Sequence, residues 1–120
     1  MDHARPEIAD AEKTAPARPL PACAECMAPF APRQNSQLFC CTDHKNAFHD
    51  RWRIRGRQLA PLEMAVSVTR NGRIRDTDIG VRAARSAQRL KRQWAAEDRD
   101  AGRMPMDQYI RRLSRCHDLP

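Results

Sequence analysis

Two pairs of metal-type ligands set the strongest limit on what this chain can fold into. Cys23-Ala24-Glu25-Cys26 has a two-residue gap, which lets both thiolates of a tight turn point at one ion. After an intervening polar stretch comes the run Phe39-Cys40-Cys41-Thr42-Asp43-His44. Cys40 and His44 are four positions apart, so at the start of a helix they face the same way. Three sulfurs and one imidazole nitrogen form a closed tetrahedral set of the kind that holds structural zinc. Soft thiolates argue against magnesium or calcium. Free structural cysteines beside a surface histidine would leave four ligand-type residues in so polar a segment unexplained. On spacing alone, Cys41 competes with Cys40 for the third sulfur place.

The rest of the chain places this site in context. At 120 residues it suits one modest domain, or a mini-domain with appendages. Its formal net charge is +7, from 22 Lys and Arg against 15 Asp and Glu. That balance favours polyanionic partners, nucleic acid first and anionic membrane second. A generally arginine-rich soluble protein would show the same charge without such a partner. No stretch approaches the roughly 18 apolar residues of a membrane helix. The first residues, Met1-Asp2-His3-Ala4-Arg5-Pro6-Glu7, lack the apolar core of a secretory signal. A cytoplasmic location and no membrane contact are therefore expected. In a reducing compartment, five cysteines are poor disulfide candidates and better metal ligands or free thiols.

Residues 1–22 carry Pro6, Pro16, Pro19 and Pro21, with only Ile8 and Leu20 as large apolar side chains past Met1. That composition cannot bury enough surface to offset chain entropy, and a disordered tail is expected. Two short strands are expected around the turn-prone stretch Met27 to Gln37, ending in Leu38-Phe39-Cys40. A helix fits Thr42 to about Arg55. Thr42 can cap it, Asp43 suits its first turn, and Gly56 would end it. Pro61 suits the first turn of a second helix to about Thr69, and Asn71-Gly72 signals a turn. A third helix runs from Asp76 or Thr77 to about Asp100, with Gly80 weakening its start. On it, Ile79, Ala83, Ala87, Leu90 and Trp94 make one apolar stripe, with Arg82, Arg85, Arg89 and Arg92 mostly off it. A short last helix, about Met106 to Arg115, follows Gly102 and Pro105.

The motif Cys23-x-x-Cys26 followed by Phe39-Cys40-Cys41-x-x-His44-Lys45 resembles the treble-clef zinc finger of small bacterial and phage proteins. The usual pattern there is a C-x-x-C knuckle, then F-C-S-x-x-C-R and a basic helix. By this resemblance Cys40 takes the first ligand place of the second pair and Cys41 the Ser place. His44 replaces the final cysteine, and Lys45 stands where Arg is usual. The resemblance covers about residues 23–57 and is weak for function, because treble clefs serve nucleic-acid binding, protein binding and nuclease cores alike. Small zinc proteins that inhibit DNA gyrase by docking on it carry a similar arrangement.

The expected fold is thus a small α+β zinc finger, treble-clef-like, with knuckle, short β-hairpin and helix. A mainly α-helical C-terminal region follows. The expected organisation is a tail over 1–22, a finger with basic helix over 23–57, and a helical region over 58–120. The cofactor is structural Zn2+ on Cys23, Cys26, Cys40 and His44. So short a finger has little core, and zinc binding would supply much of its folding free energy.

Beyond the ligands, Arg51-Trp52-Arg53-Ile54-Arg55-Gly56-Arg57 crowds four arginines at the end of the finger helix. Guanidinium groups suit phosphate through bidentate hydrogen bonds. Lys45, Arg51, Arg53, Arg55 and Arg57 are the candidate nucleic-acid contacts, to the backbone of DNA first. A solvated basic face, ion-paired to Asp43, Asp50 or Glu63, is the plainer reading. A protein partner along the 76–100 helix is the alternative, although its stripe serves first as core. His49 alone makes no active site, a structural His44 cannot also hold a catalytic metal, and no enzyme is expected. Cys116-His117 reads as a lone thiol in a frayed end, since adjacent helix residues point apart.

Overall fold

The computed structural model describes residues 19–70 and 77–116. Within them lie three helices: α1 (Thr42–Arg70), α2 (Thr77–Asp100) and α3 (Met106–Cys116). The expected tail falls mostly outside the described residues, as does the Asn71-Gly72 turn.

The expected α+β finger with a β-hairpin is not what forms. Among the described residues there is no strand, only an isolated antiparallel bridge between Ala22 and Pro29. The reason lies in the segment's own composition. Pro21, Pro29 and Pro32 lack the amide protons that a ladder needs. What remains are single bonds: Phe30 N–H to the Pro21 carbonyl at 3.0 Å, and Ala24 N–H to the Leu38 carbonyl at 2.9 Å.

The finger helix also fails to stop where expected. α1 runs unbroken through Gly56 and Pro61, whereas a helix end and a new start were expected there. A glycine inside a helix costs ~1 kcal/mol and an internal proline ~3 kcal/mol. Tertiary packing overrides both. Phe48, Trp52, Arg55, Leu59, Leu62, Val66 and Thr69 recur at alternating spacings of four and three, and every one of them is buried or half-buried. This is the seam of a helical hairpin. Facing it, the α2 stripe of Ala83, Ala87 and Trp94 is buried, with Ile79 and Leu90 half-buried. The bounds of α2 and α3 fall where periodicity places them.

Three contacts fix α1 and α2 as antiparallel. Trp52 meets Trp94 edge-on at 5.9 Å between ring centroids. Glu63 pairs with Lys91 at 2.9 Å. Gly80 sits against Thr69, whose hydroxyl bonds back to the Ala65 and Val66 carbonyls at 2.9 and 3.0 Å. α2 ends at Gly102, whose φ of 74° suits a residue without Cβ. Its N–H bonds the Arg99 carbonyl at 3.1 Å, and Arg103 N–H bonds Asp98 at 2.8 Å, closing the helix end.

The core proper gathers Cys23, Ala24, Phe30, Leu38, Phe39, Phe48 and Met104, flanked by Trp52, Tyr109 and Leu113. Its centre is Phe48, 5.1 Å from Phe39 and 4.8 Å from Tyr109 between centroids. α1, α3 and the cysteine segment therefore share one core.

Two glycine replacements separate these roles. A Cβ at Gly56 meets nothing within 4 Å, whereas one at Gly80 would lie 2.2 Å from Thr69 Oγ1. Thermal melts should show Gly56→Ala stabilising by ~0.5–1 kcal/mol. Gly80→Ala should destabilise by ~1–3 kcal/mol, and adding Thr69→Ala should restore most of that loss.

Candidate metal centre

The site begins with a knuckle. Cys23 accepts into its carbonyl the Met27 N–H at 2.8 Å, and donates its own N–H to the Ala28 carbonyl at 2.9 Å. Glu25 N–H points at the Cys23 sulfur, 3.4 Å away. The turn forces Met27 to a φ of 65°, a left-handed conformation that costs a non-glycine residue roughly 1–2 kcal/mol. The second pair comes from the start of α1. Cys40 lies just before the helix and His44 in its first turn, where the helix dipole favours negative charge.

These elements bring Cys23, Cys26, Cys40 and His44 together, with one ligand atom of each within 4.8 Å of the others. The four residues could hold a metal ion. His44 Nδ1 lies 3.2 Å from Cys40 Sγ and 3.7 Å from Cys23 Sγ. Cys26 Sγ is 4.0 Å from Cys40 Sγ. Tetrahedral zinc bonds of about 2.3 Å to sulfur and 2.0 Å to nitrogen require edges of roughly 3.5–3.8 Å. The donor set fits that size. Cys41, 3.8 Å from Cys40 Sγ, is exposed and lies outside the group.

The thiols differ sharply in acidity. Burial alone would push the Cys23 thiol up. Hydrogen bonds from the Cys40, Cys26 and Glu25 backbone and from His44 outweigh it and bring the thiol from 9.0 down to about 6. Cys40 is pushed the other way, to about 12, by desolvation and by the sulfurs of Cys23, Cys41 and Cys26 beside it. One thiolate forms readily and the next is opposed by it. A cation among them removes that opposition.

The site is tied to the helices around it. Glu25 of the knuckle ion-pairs with Arg51 of α1. Arg112 of α3 donates to the Ala22 carbonyl and, at 2.9 Å, to the Gln37 carbonyl, and covers the Phe30 ring at 5.7 Å. Met104 N–H reaches the Ala24 carbonyl at 3.3 Å. Cys116 Sγ lies 3.4 Å from the Asn35 carbonyl, so this thiol is docked against the cysteine segment.

The five basic residues expected to face phosphate are not equivalent. Lys45, Arg53 and Arg57 are exposed, with Arg53 paired to Asp50 at 3.2 Å. Arg51 is occupied by Glu25. Arg55 is only 4% exposed and grips Asp98, itself 6% exposed, through two bonds of 3.0 and 2.9 Å. Its guanidinium stacks on Trp52 at 4.7 Å and Trp94 at 5.4 Å. Arg103 adds a second cation to Asp98 at 2.9 Å. Reading the sequence locally missed this pair because its partners lie far apart along the chain. The available signal was Arg55 standing on the apolar seam between Trp52 and Leu59.

Comparison with family models, with curated proteins and with solved structures finds no match to this chain.

Burial opposes ionisation of Asp98, but hydrogen bonds from Arg55 and Arg103 outweigh it and hold its carboxyl below the ordinary 3.8. A depressed carboxylate stabilises fully above the unfolded value and loses that contribution as pH falls through the folded one. The clamp is therefore intact at neutral pH and fails only below about pH 4. Asp98→Ala strands a buried guanidinium and should cost ~3–5 kcal/mol in chemical denaturation at pH 7. Arg53→Ala, on an exposed pair, should change stability by no more than about 0.5 kcal/mol.

Proposed function

We propose that this chain is a small zinc-binding protein whose metal is structural and whose basic exterior binds nucleic acid as an accessory factor. The observation carrying the metal half is the Cys3His cluster at tetrahedral spacing. Zinc is favoured over harder ions by the three sulfurs, and the closed four-ligand set is of the kind typical of structural zinc. Four protein ligands leave no open position for a substrate or an activated water, so the reading is non-catalytic. A reduced, cytoplasmic setting suits it, since the ligands must stay thiols. No helix among the described residues is long and apolar enough to cross a membrane.

The nucleic-acid half rests on the net charge of +7 and on basic side chains left exposed, Lys45, Arg53 and Arg57 on α1 among them. Their contacts would be to backbone phosphate, without sequence readout. A second reading, a protein-binding adaptor, is favoured by one feature. An apolar groove lies between the hairpin and the loop before α3, lined by Met27, Trp52, Leu59, Trp94, Pro105 and Met106. A stoichiometric protein partner that survives nuclease treatment in a pull-down would favour the adaptor.

Elemental analysis of protein purified without added metal tests the zinc. About one equivalent is expected in the wild type and in Cys41→Ser, and less than about half in Cys26→Ser and Cys40→Ser. Zinc-free wild-type protein with an unchanged fold would refute the structural role.

A further inference from the structure

α2 offers its core stripe to α1 and turns a second face outward. On that outer face Arg82, Arg85, Arg89 and Arg92 follow one another at spacings of three, four and three, and all four are exposed. Between Ile79 and Glu97 the helix carries no acidic residue. Arg82 pairs with Asp78 at 2.9 Å across a well-exposed contact. Among the described residues Arg89 bonds the Ser86 hydroxyl alone, at 3.3 Å. Arg85 and Arg92 have no ion pair among the described residues. On α1, by contrast, Arg51, Arg53 and Arg55 each hold a carboxylate. Of the four arginines from Arg51 to Arg57, only Arg57 has no carboxylate among the described residues, whereas on α2 Arg85, Arg89 and Arg92 have none and stand in one row.

We infer that the outward arginine row of α2, centred on Arg85, Arg89 and Arg92, is a phosphate-contacting face for duplex nucleic acid. This rests on the nucleic-acid reading above and deepens it. At 1.5 Å rise per residue, the row from Arg82 to Arg92 extends about 15 Å. That length follows several successive phosphates of a duplex, which carries a charge about every 1.7 Å of axis. The row is presented rigidly, because the opposite side of α2 is locked by Ala83, Ala87 and Trp94 in the hairpin seam. Guanidinium groups bind phosphate bidentately, and contacts of this kind are insensitive to sequence. Phosphate polymer is favoured over a membrane surface by the neighbours of the row. From Arg85 to Arg92 the other exposed residues are Gln88 and Lys91, and among the described residues of α2 the exposed large apolar side chain beside the row is Val81, too little to anchor in the lipid boundary.

The test is fluorescence anisotropy of a short labelled DNA duplex with the full-length, zinc-loaded chain over a range of salt. Three triple variants are compared with wild type: Arg85→Gln/Arg89→Gln/Arg92→Gln, Lys45→Gln/Arg53→Gln/Arg57→Gln, and a charge-matched control, Arg70→Gln/Arg111→Gln/Arg115→Gln. Circular dichroism and zinc content establish that each is folded. The α2 variant should flatten the slope of log affinity against log salt by about 2 to 3, while the control leaves it unchanged. An unchanged slope in the α2 variant, with the α1 variant losing binding, would overturn the inference and leave the nucleic-acid reading standing. Equal flattening in the control would reduce the effect to net charge and overturn it too. Wild-type protein that ignores duplex at low salt would overturn both the inference and the reading, as would binding only to anionic phosphatidylserine vesicles.

Discussion

Bringing three thiol sulfurs and an imidazole within 4.8 Å of one another creates an electrostatic problem that a bound cation solves. The Cys23 thiol, drawn down to about 6, ionises first, and the sulfur of Cys40, pushed up to about 12, resists following it. With a dication, the same crowding becomes the strongest tie in this part of the chain. Under the proposed structural role, much would depend on that tie. Residues 21–40 have neither helix nor strand to hold them, and their backbone bonds are few and isolated. They are nevertheless where Phe30, Leu38 and Phe39 enter the core, and where α3 finds the carbonyls that receive Arg112.

The helical hairpin is built on a different principle. Its seam mixes small residues on α2 with larger ones on α1, and at the end nearer the cysteine cluster it buries an ion pair between two tryptophans. Arg55 and Asp98 would be costly if left alone, but they satisfy each other bidentately, with Arg103 as a third member. Because the pair stands beside Trp52, which also packs against Phe48, the hairpin and the core beside the cysteine cluster meet at one place. The two units are joined by α1 itself, whose first turn supplies His44 and whose later turns form the hairpin.

The clustering of Cys23, Cys26, Cys40 and His44, which could hold a metal ion, was legible because its chemistry is local: residue type and spacing suffice when both pairs sit in short stretches of chain. The bounds of α2 and α3 were legible for a similar reason, since their apolar periodicity is uninterrupted. The β-hairpin expectation fails because a turn-prone stretch suggests flanking strands, while Pro21, Pro29 and Pro32 remove the ladder donors those strands would need. The break at Gly56 and Pro61 failed because local breakers were given precedence over a seven-residue repeat running through both, from Phe48 to Thr69. Arg55 was read as a phosphate contact because charge is visible in sequence and burial is not. Only the position of Asp98 in space turns that arginine inward. The strands that a treble-clef finger would need are absent among the described residues, which leaves the Cys and His spacing as what the sequence shares with that pattern.

The central claim is that metal at Cys23, Cys26, Cys40 and His44 holds the segment before α1 onto a helical hairpin that has its own seam. Hydrogen exchange measured with zinc bound and after chelation tests it most directly. Removal should abolish protection at the amides of Cys23, Ala24, Met27 and Phe30, each bonded within or beside the knuckle. Amides in the middle of α1 and α2 should remain protected. Equal protection of the knuckle amides with and without metal would contradict the account.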